Sequence, residues 1–374
     1  MLLLGFIILI AYLILIYSLS RGFNKVPETQ LRDLPSQHHF SLVIPFRNEA
    51  EHLPQLLESI GTLKYPTSHF EILLVNDGST DSSEKFILEF FSKHKHLTYR
   101  LLQNNPQSSA PKKEAIELAV SKASNPWIIT TDADVILPKY WLDSYDEFLQ
   151  DHDAICVAGP VKIIGFSKFI HRFQSLDFMS LQGSSLGAFG LGRPMMCNAA
   201  NLCYNKDVFI AIEAYKHNKQ HTSGDDVFLL EAMLKENRKK VFTLKNEAAI
   251  VETTPVDSWS ALINQRQRWA SKTRFSANGF TQLTGILVLL MNLWLCSIPV
   301  LILTNYLSPR SALMFVLAKT SIDFLLIFKT VKWFKESALL TSFLFVSLLY
   351  PIVAVIIVAK STLGGFSWKE RTYR

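Results

Sequence analysis

The chain has 374 residues, 49% of them hydrophobic and 19% charged, with 38 Lys and Arg against 32 Asp and Glu for a formal net charge of +6. That length holds one sizeable globular domain plus extra segments, and a mean hydropathy of +0.18 is high for a soluble enzyme and low for a chain that is all membrane. The positive excess is modest and no nucleic-acid motif accompanies it, so nucleic acid is excluded as an expected partner.

The chain opens on LLLGFIILIAYLILIY (2–17), close to the roughly 20 apolar residues that a membrane span needs. It has neither a basic leading region nor a small-residue cleavage site, so it reads as a retained anchor (1–22) rather than a signal peptide. Arg21 and Lys25 follow directly, which favours exit on the cytoplasmic side. A linker with two prolines and mixed charge (24–37) leads into a segment of globular composition, 38–280. There strands and helices alternate. FSLVIPF predicts a buried strand, and Leu53, Leu56, Leu57 and Ile60 mark a helix ended by glycine. FEILLVNDGS is a second strand running into a turn, SSEKFILEFFSKH a helix, and LTYRLLQ a third strand. PKKEAIELAVSKA is a helix again and PWIITTDADV a fourth strand. The alternation predicts βαβ units and a mainly parallel sheet, in which ligands bind beyond the carboxyl ends of the strands.

From Leu262 to Gln282 stand Arg266, Arg268, Lys272 and Arg274 with no acid, a pattern suited to an anionic leaflet. Three further apolar stretches, 283–307, 311–328 and 338–359, form a C-terminal membrane region of two or three helices (283–360), followed by a basic tail (361–374). The middle stretch carries Lys319 and Asp323. Each costs about 2.5–3.5 kcal/mol at mid-bilayer, unless the two pair across one helical turn. With four crossings and an outside amino terminus, the tail KERTYR ends outside, against the positive-inside rule. Four cysteines without paired spacing read as ordinary thiols of a reducing compartment.

Three of the predicted strands deliver acids to one sheet edge, at PFRNEA, VNDGSTD and TTDADV. In TDADV, Asp132 and Asp134 are either a solvated turn or two carboxylates on one hard cation, Mg2+ or Mn2+. NDGSTD has turn and helix-cap chemistry, and Asp77 at its strand's end is also placed to accept from a base or ribose. Lys112 and Lys113 sit at a helix start, where the helix dipole disfavours cations. One suits a diphosphate and the other plain surface. In SGDDVFLLEAML, Asp225 and Asp226 are a helix cap or include a general base. In QRQRW (265–269), the arginines and Trp269 are a membrane collar, or Gln265 and Arg268 on one helical face bind phosphate.

Taken together, VIPFRNEA, VNDGSTDSS, KKEAI, TDADV, GDD and QRQRW resemble, in order and spacing, the membrane-bound family 2 glycosyltransferases of GT-A fold, over roughly residues 40–269. The resemblance implies a Rossmann-like α/β domain in the cytoplasm, flanked by transmembrane helices in the inner or plasma membrane. It implies that Pro45, Arg47, Asn48 and Glu49 line a base pocket and that Asp77 contacts uracil or ribose. Lys112 matches the phosphate lysine, Asp132 faces the nucleotide-sugar and Asp134 is the metal ligand, with Asp132 beside it. Asp226 matches the catalytic base and Asp225 adjoins the substrate. Gln265, Arg268 and Trp269 match the motif that holds the diphosphate and closes over the acceptor, so QRQRW is read as both site and collar. NAANLCYNKDVF resembles the acceptor-side element, with Ala199 and Asn205 departing from its glycine and arginine. The implied reaction is inverting, metal-dependent transfer from a nucleotide-sugar to a lipid or glycan acceptor. A processive polysaccharide synthase, a non-catalytic nucleotide-binding protein and a nucleotidyltransferase are the alternatives.

Overall fold

The computed structural model describes the backbone apart from residues 217, 364–365, 369–370 and 374, and the side chains apart from those of 217, 272–275 and 363–374. The predicted tail, and the side chains of Lys272 and Arg274, lie outside what is described at side-chain level. Residues 1–26, 163–195 and 255–374 form one compact unit, and 27–162 with 196–254 form another. Residues 163–195 and 255–280, which the sequence reading assigned to the globular segment, thus group with the apolar helices.

Helix α1 (Leu2–Lys25) opens the chain, longer than the apolar run because Arg21 and Lys25 continue it. The sheet unit then follows the predicted alternation: β1 (Phe40–Phe46), α2 (Leu53–Gly61), β2 (Phe70–Asn76), α3 (Ser83–Lys93), β3 (Tyr99–Gln103), α4 (Pro111–Lys122) and β4 (Trp127–Thr130). Next come β5 (Val135–Ile136), α5 (Trp141–Asp151), β6 (Cys156–Ala158) and β7 (Val161–Ile163). Helix α6 (Phe169–Gly190) belongs to the other unit. The sheet unit resumes with β8 (Leu202–Asn205), α7 (Lys206–Ala211), α8 (Asp225–Asn237), β9 (Val241–Thr243) and β10 (Val251–Thr253).

Seven strands pair in the order β3-β2-β1-β4-β8-β6-β9. The first four are mutually parallel, whereas β8 runs antiparallel to both β4 and β6. The sheet is therefore mainly parallel, as the alternation predicts. Every residue of β2 is buried, which accounts for its unbroken apolar run rather than a period of two. Immediately before β8, Asn201 is a buried hub. Its Oδ1 accepts from Trp141 Nε1 at 2.9 Å and Tyr145 Oη at 2.7 Å, and its Nδ2 donates to the Pro160 and Ala249 carbonyls.

The apolar unit is completed by α9 (Trp259–Phe275), α10 (Gly279–Leu303), α11 (Pro309–Trp333), α12 (Phe343–Leu363) and a hairpin of β11 (Phe366–Trp368) and β12 (Arg371–Tyr373). Four segments, Leu2–Lys25, Gly279–Leu303, Pro309–Trp333 and Ser337–Thr362, are long and apolar enough to cross a membrane. On α11 the two charges pair as their spacing predicts: Lys319 Nζ lies 2.8 Å from Asp323 Oδ2. Tyr12 Oη on α1 donates to Asp323 Oδ1 at 2.7 Å.

Candidate functional site

The carboxyl ends of β1, β2 and β4 converge at one edge of the sheet, each followed by a polar loop. Pro45 is the last residue but one of β1, and Arg47, Asn48 and Glu49 follow the strand half-buried. Arg47 Nη1 donates to the carbonyls of Asp77 (2.7 Å) and Gly78 (2.9 Å) in the loop after β2. Asn48 Oδ1 accepts from Thr80 N at 2.8 Å, and Ser79 Oγ accepts from Asn48 N at 3.0 Å. The PFRNEA and NDGSTD loops are thus sewn together, and Asn48 does part of the sewing. Asp77 is buried, its Oδ1 accepting from Asn104 Nδ2 at 2.8 Å.

Asp132 and Asp134 lie in the loop between β4 and β5. The resolved centre of the site is Lys112, on the first turn of α4. Its ammonium stands 2.7 Å from Asp132 Oδ1 and 2.9 Å from Asp225 Oδ2. Burial works to lower the Lys112 pKa, but the charges of Asp132 and then Asp225 outweigh it and hold the ammonium well above its ordinary range. This explains a cation at a helix start: two carboxylates counter the dipole.

Lys113 corrects the expectation of a plain surface residue. It is fully buried, donating to the carbonyls of Asn218 and His221 at 2.8 Å each, with its ammonium 4.5 Å from the centroid of the Phe228 ring. The adjacent lysines therefore bind different things: Lys112 the acids of TDADV and GDD, Lys113 the loop that leads into GDD.

The GDD segment starts α8. Gly224 takes φ +91, a left-handed turn that favours glycine, and a Cβ there would lie 2.7 Å from the Phe228 ring. Asp225 and Asp226 follow in the first turn, both buried. Asp226 Oδ1 accepts from Val227 N at 2.7 Å, and Cys197 Sγ donates to the Asp226 carbonyl at 3.4 Å. Asn205, which stands where the resembling element has arginine, caps α7 by accepting from Val208 N.

Asp134 is exposed to solvent along its side chain. Even so, burial by surrounding protein and then the charges of Asp132 and Glu49 push its carboxyl up to about 6. Among the described residues no group of three His, Cys, Asp or Glu stands ready to hold a metal ion. The donor set is all carboxylate oxygen and holds excess negative charge. That suits a hard divalent cation with one or two protein ligands and its remaining positions open to phosphate oxygens.

Gln265, Arg268 and Trp269 belong to the other unit, on α9, and all three are half-buried. Arg266 and Gln267 between them are buried. The sequence marks Arg266 only as part of the basic collar, and marks neither Gln267 nor Asp177 on α6, which Arg266 meets at 2.6 Å.

With this geometry in hand, comparisons with known proteins are informative. Residues 41–209 match the profile of glycosyl transferase family 2, and residues 127–358 that of glycosyl transferase family group 2. A poly-β-1,6-N-acetyl-D-glucosamine synthase of Staphylococcus epidermidis is 26% identical over 168 residues, which are 43% of this chain and 38% of that protein. The corresponding enzyme of Staphylococcus aureus strain COL is 24% identical over 166 residues, 43% of this chain and 37% of its own length. The chain thus matches well under half the length of these relatives. Among solved structures, a mannosyltransferase of Pyrobaculum calidifontis, in complex with GDP-mannose and Mn2+, superposes with a TM-score of 0.60 at 13% identity. The match covers 97% of this chain and 98% of that one, and it establishes a shared fold.

Proposed function

This chain belongs to the family 2 glycosyltransferases, and from that premise we propose that it transfers a sugar, with inversion, from a UDP- or GDP-sugar to a lipid or glycan acceptor at a membrane. The observation that carries the reading is the Lys112 ammonium between Asp132 and Asp225. It gathers the lysine, TDADV and GDD motifs into one cluster beyond the strand ends.

In this reading Pro45, Arg47, Asn48, Glu49 and Asp77 form the nucleoside side of the site. Asp134, with Asp132, holds Mg2+ or Mn2+, which when bound supplies positive charge to the leaving diphosphate. Lys112, kept charged by its carboxylate partners, meets the same diphosphate and stabilises charge where it develops. Asp226 takes the proton of the acceptor hydroxyl as that oxygen attacks the anomeric carbon. The bond to the diphosphate breaks with its electron pair, and a single displacement inverts the centre without a carboxylate nucleophile. Gln265, Arg268 and Trp269 take the family's diphosphate and acceptor role. The nucleotide-sugar is cytoplasmic, so the sheet unit is assigned to that side of the membrane.

The similarity to polymer synthases supports a second reading, repeated transfer to a growing glycan. One experiment separates the two. Purified protein is incubated with a panel of UDP- and GDP-sugars, Mn2+ or Mg2+ and membrane lipid extract, and products are identified by mass. A single added sugar on a lipid supports the first reading and a ladder supports the second. Nucleotide-sugar consumption that stays at the level of a boiled control across the panel overturns both.

A further inference from the structure

The five residues of QRQRW divide into two sets. Gln265, Arg268 and Trp269 keep partial exposure, whereas Arg266 and Gln267 are each only 5% exposed. Gln267 Nε2 donates to the Lys360 carbonyl on α12 at 3.1 Å. Arg266 Nε donates to Asp177 Oδ2 on α6 at 2.6 Å, and Asp177 is itself 9% exposed. Nη1 and the guanidinium face turn back on its own helix, while Nη2 is buried without a hydrogen-bond partner among the described residues. Nη1 donates to Gln265 Oε1 at 2.8 Å, and the guanidinium carbon lies 4.0 Å from the centroid of the Trp269 ring. Trp269 also packs on Phe178, the neighbour of Asp177, with ring centroids 5.9 Å apart.

We infer that Arg266 and Asp177 are positioning residues for sugar transfer: the pair locks Gln265 and Trp269 in one orientation. The inference rests on the role proposed for Gln265, Arg268 and Trp269. A buried arginine–aspartate pair is a poor device for stability alone, because well-packed apolar residues often replace one without loss. What it supplies is geometry. A planar guanidinium can meet a carboxylate, an amide and an indole face at once, and a lysine cannot. The amide and the indole otherwise keep rotamer freedom, and misplacing a group by about 1 Å costs on the order of a hundredfold in rate.

Arg266→Lys keeps a cation facing Asp177 but loses both the second nitrogen for Gln265 and the plane for Trp269. The full-length protein is purified in detergent and normalised to its folded monomer peak. UDP release from UDP-N-acetylglucosamine and GDP release from GDP-mannose are then followed with Mn2+ present. For Arg266→Lys, kcat should fall about tenfold to a hundredfold, with donor KM moving far less. Asp177→Asn should show the same split, and adding it to Arg266→Lys should cost little more, since both loosen one device. Should Asp177→Asn not fold, Arg266→Lys carries the test alone. Reduced folded yield with wild-type kcat per folded molecule, or losses that simply add, would mean a structural staple and overturn the proposal. Arg268→Lys run alongside separates the levels. If it turns over normally, the motif's role is wrong and the inference falls with it. If it is slow while Arg266→Lys and Asp177→Asn are normal, only the positioning inference fails.

Discussion

A carboxyl that titrates near 6 in the folded protein is poised to exchange its proton for a cation close to neutral pH, and Asp134 is such a group. Its folded pKa is raised above the unfolded value of about 3.9. This group therefore favours the folded state at low pH, and that contribution is lost as pH rises to about 6. Above that point the ionised carboxylate sits among the like charges of Asp132 and Glu49, and a bound cation relieves the repulsion. With UDP present, Mn2+ should raise the melting temperature above pH 6.5 or so. Its affinity should weaken by about tenfold for each pH unit below 6, as one proton competes for the ligand. Asp134→Asn should abolish that gain and reduce transfer to a negligible rate while still folding. Melting curves with Mn2+ or chelator across pH 5 to 8 check this, and an undiminished Mn2+ shift in Asp134→Asn would remove Asp134 from the metal site. Asp226 is tested differently. Asp226→Asn should lower turnover by about 10²–10⁴, the usual worth of a general base, with donor affinity little changed. A large loss of donor affinity at normal turnover would assign Asp226 to the nucleotide instead.

At the scale of elements, α1 and α6 approach so closely that glycine is required on both. A Cβ on Gly22 would lie 2.0 Å from the Gly187 carbonyl oxygen, and one on Gly187 would lie 2.3 Å from that of Leu19. Both obstacles are backbone, which cannot rotate away. Small residues of this kind let helices pack at the shortest distances. Gly187→Ala should therefore force the helices apart and destabilise the unit by about 1–3 kcal/mol, read as a lower detergent melting temperature. Gly279→Ala, where no atom lies within 4 Å of the added Cβ, should be neutral; equal losses in the two would refute the packing argument. Helix α6 also shows where sequence reasoning ran out. The sheet unit was legible because its strands are apolar runs and its helices amphipathic, so β1 and β2 fall on the predicted segments. In α6, every residue from Phe173 to Met179 is buried, polar and apolar alike, so no stripe at helical spacing exists to be seen. The site divides the same way. Asp132 and Asp225 announce themselves as acids after strands or at helix starts, and Lys112 joins them. Lys113 was misread because the carbonyls that satisfy it belong to Asn218 and His221, over a hundred residues further on. Arg266 reads as a collar cation because Asp177, the partner that buries it, lies in that helix without a visible stripe.

For the whole molecule, the path of α12 decides where the chain ends. Helices α1, α10 and α11 have the composition of spans, and α12 shares it. Composition alone does not fix its route. The residues just before α12 are held by α6: Arg172 Nη1 donates to the Ala338 carbonyl and to Thr341 Oγ1, at 3.0 Å each. Near its far end, Gln267 of α9 donates to the Lys360 carbonyl, and β11 beyond it packs against α9 as well. Along its length α12 also packs on α10, itself a candidate span. At 21 residues, α12 is long and apolar enough to cross. Its Leu344, Leu348, Ile352 and Ile356 are exposed and apolar, suited to lipid contact. With all four helices crossing, the basic tail ends on the side opposite to where α1 ends; with α12 in the membrane face it ends on the same side, which is what the positive-inside rule predicts. Reporter fusions test this directly. A fluorescent protein that matures only in the cytoplasm should be bright when fused after Arg374, and a phosphatase active only outside should be silent there. Fused after Tyr306, in the turn between α10 and α11, the two reporters should exchange. An active phosphatase at the carboxyl end would mean that α12 crosses and that the basic tail departs from the positive-inside rule.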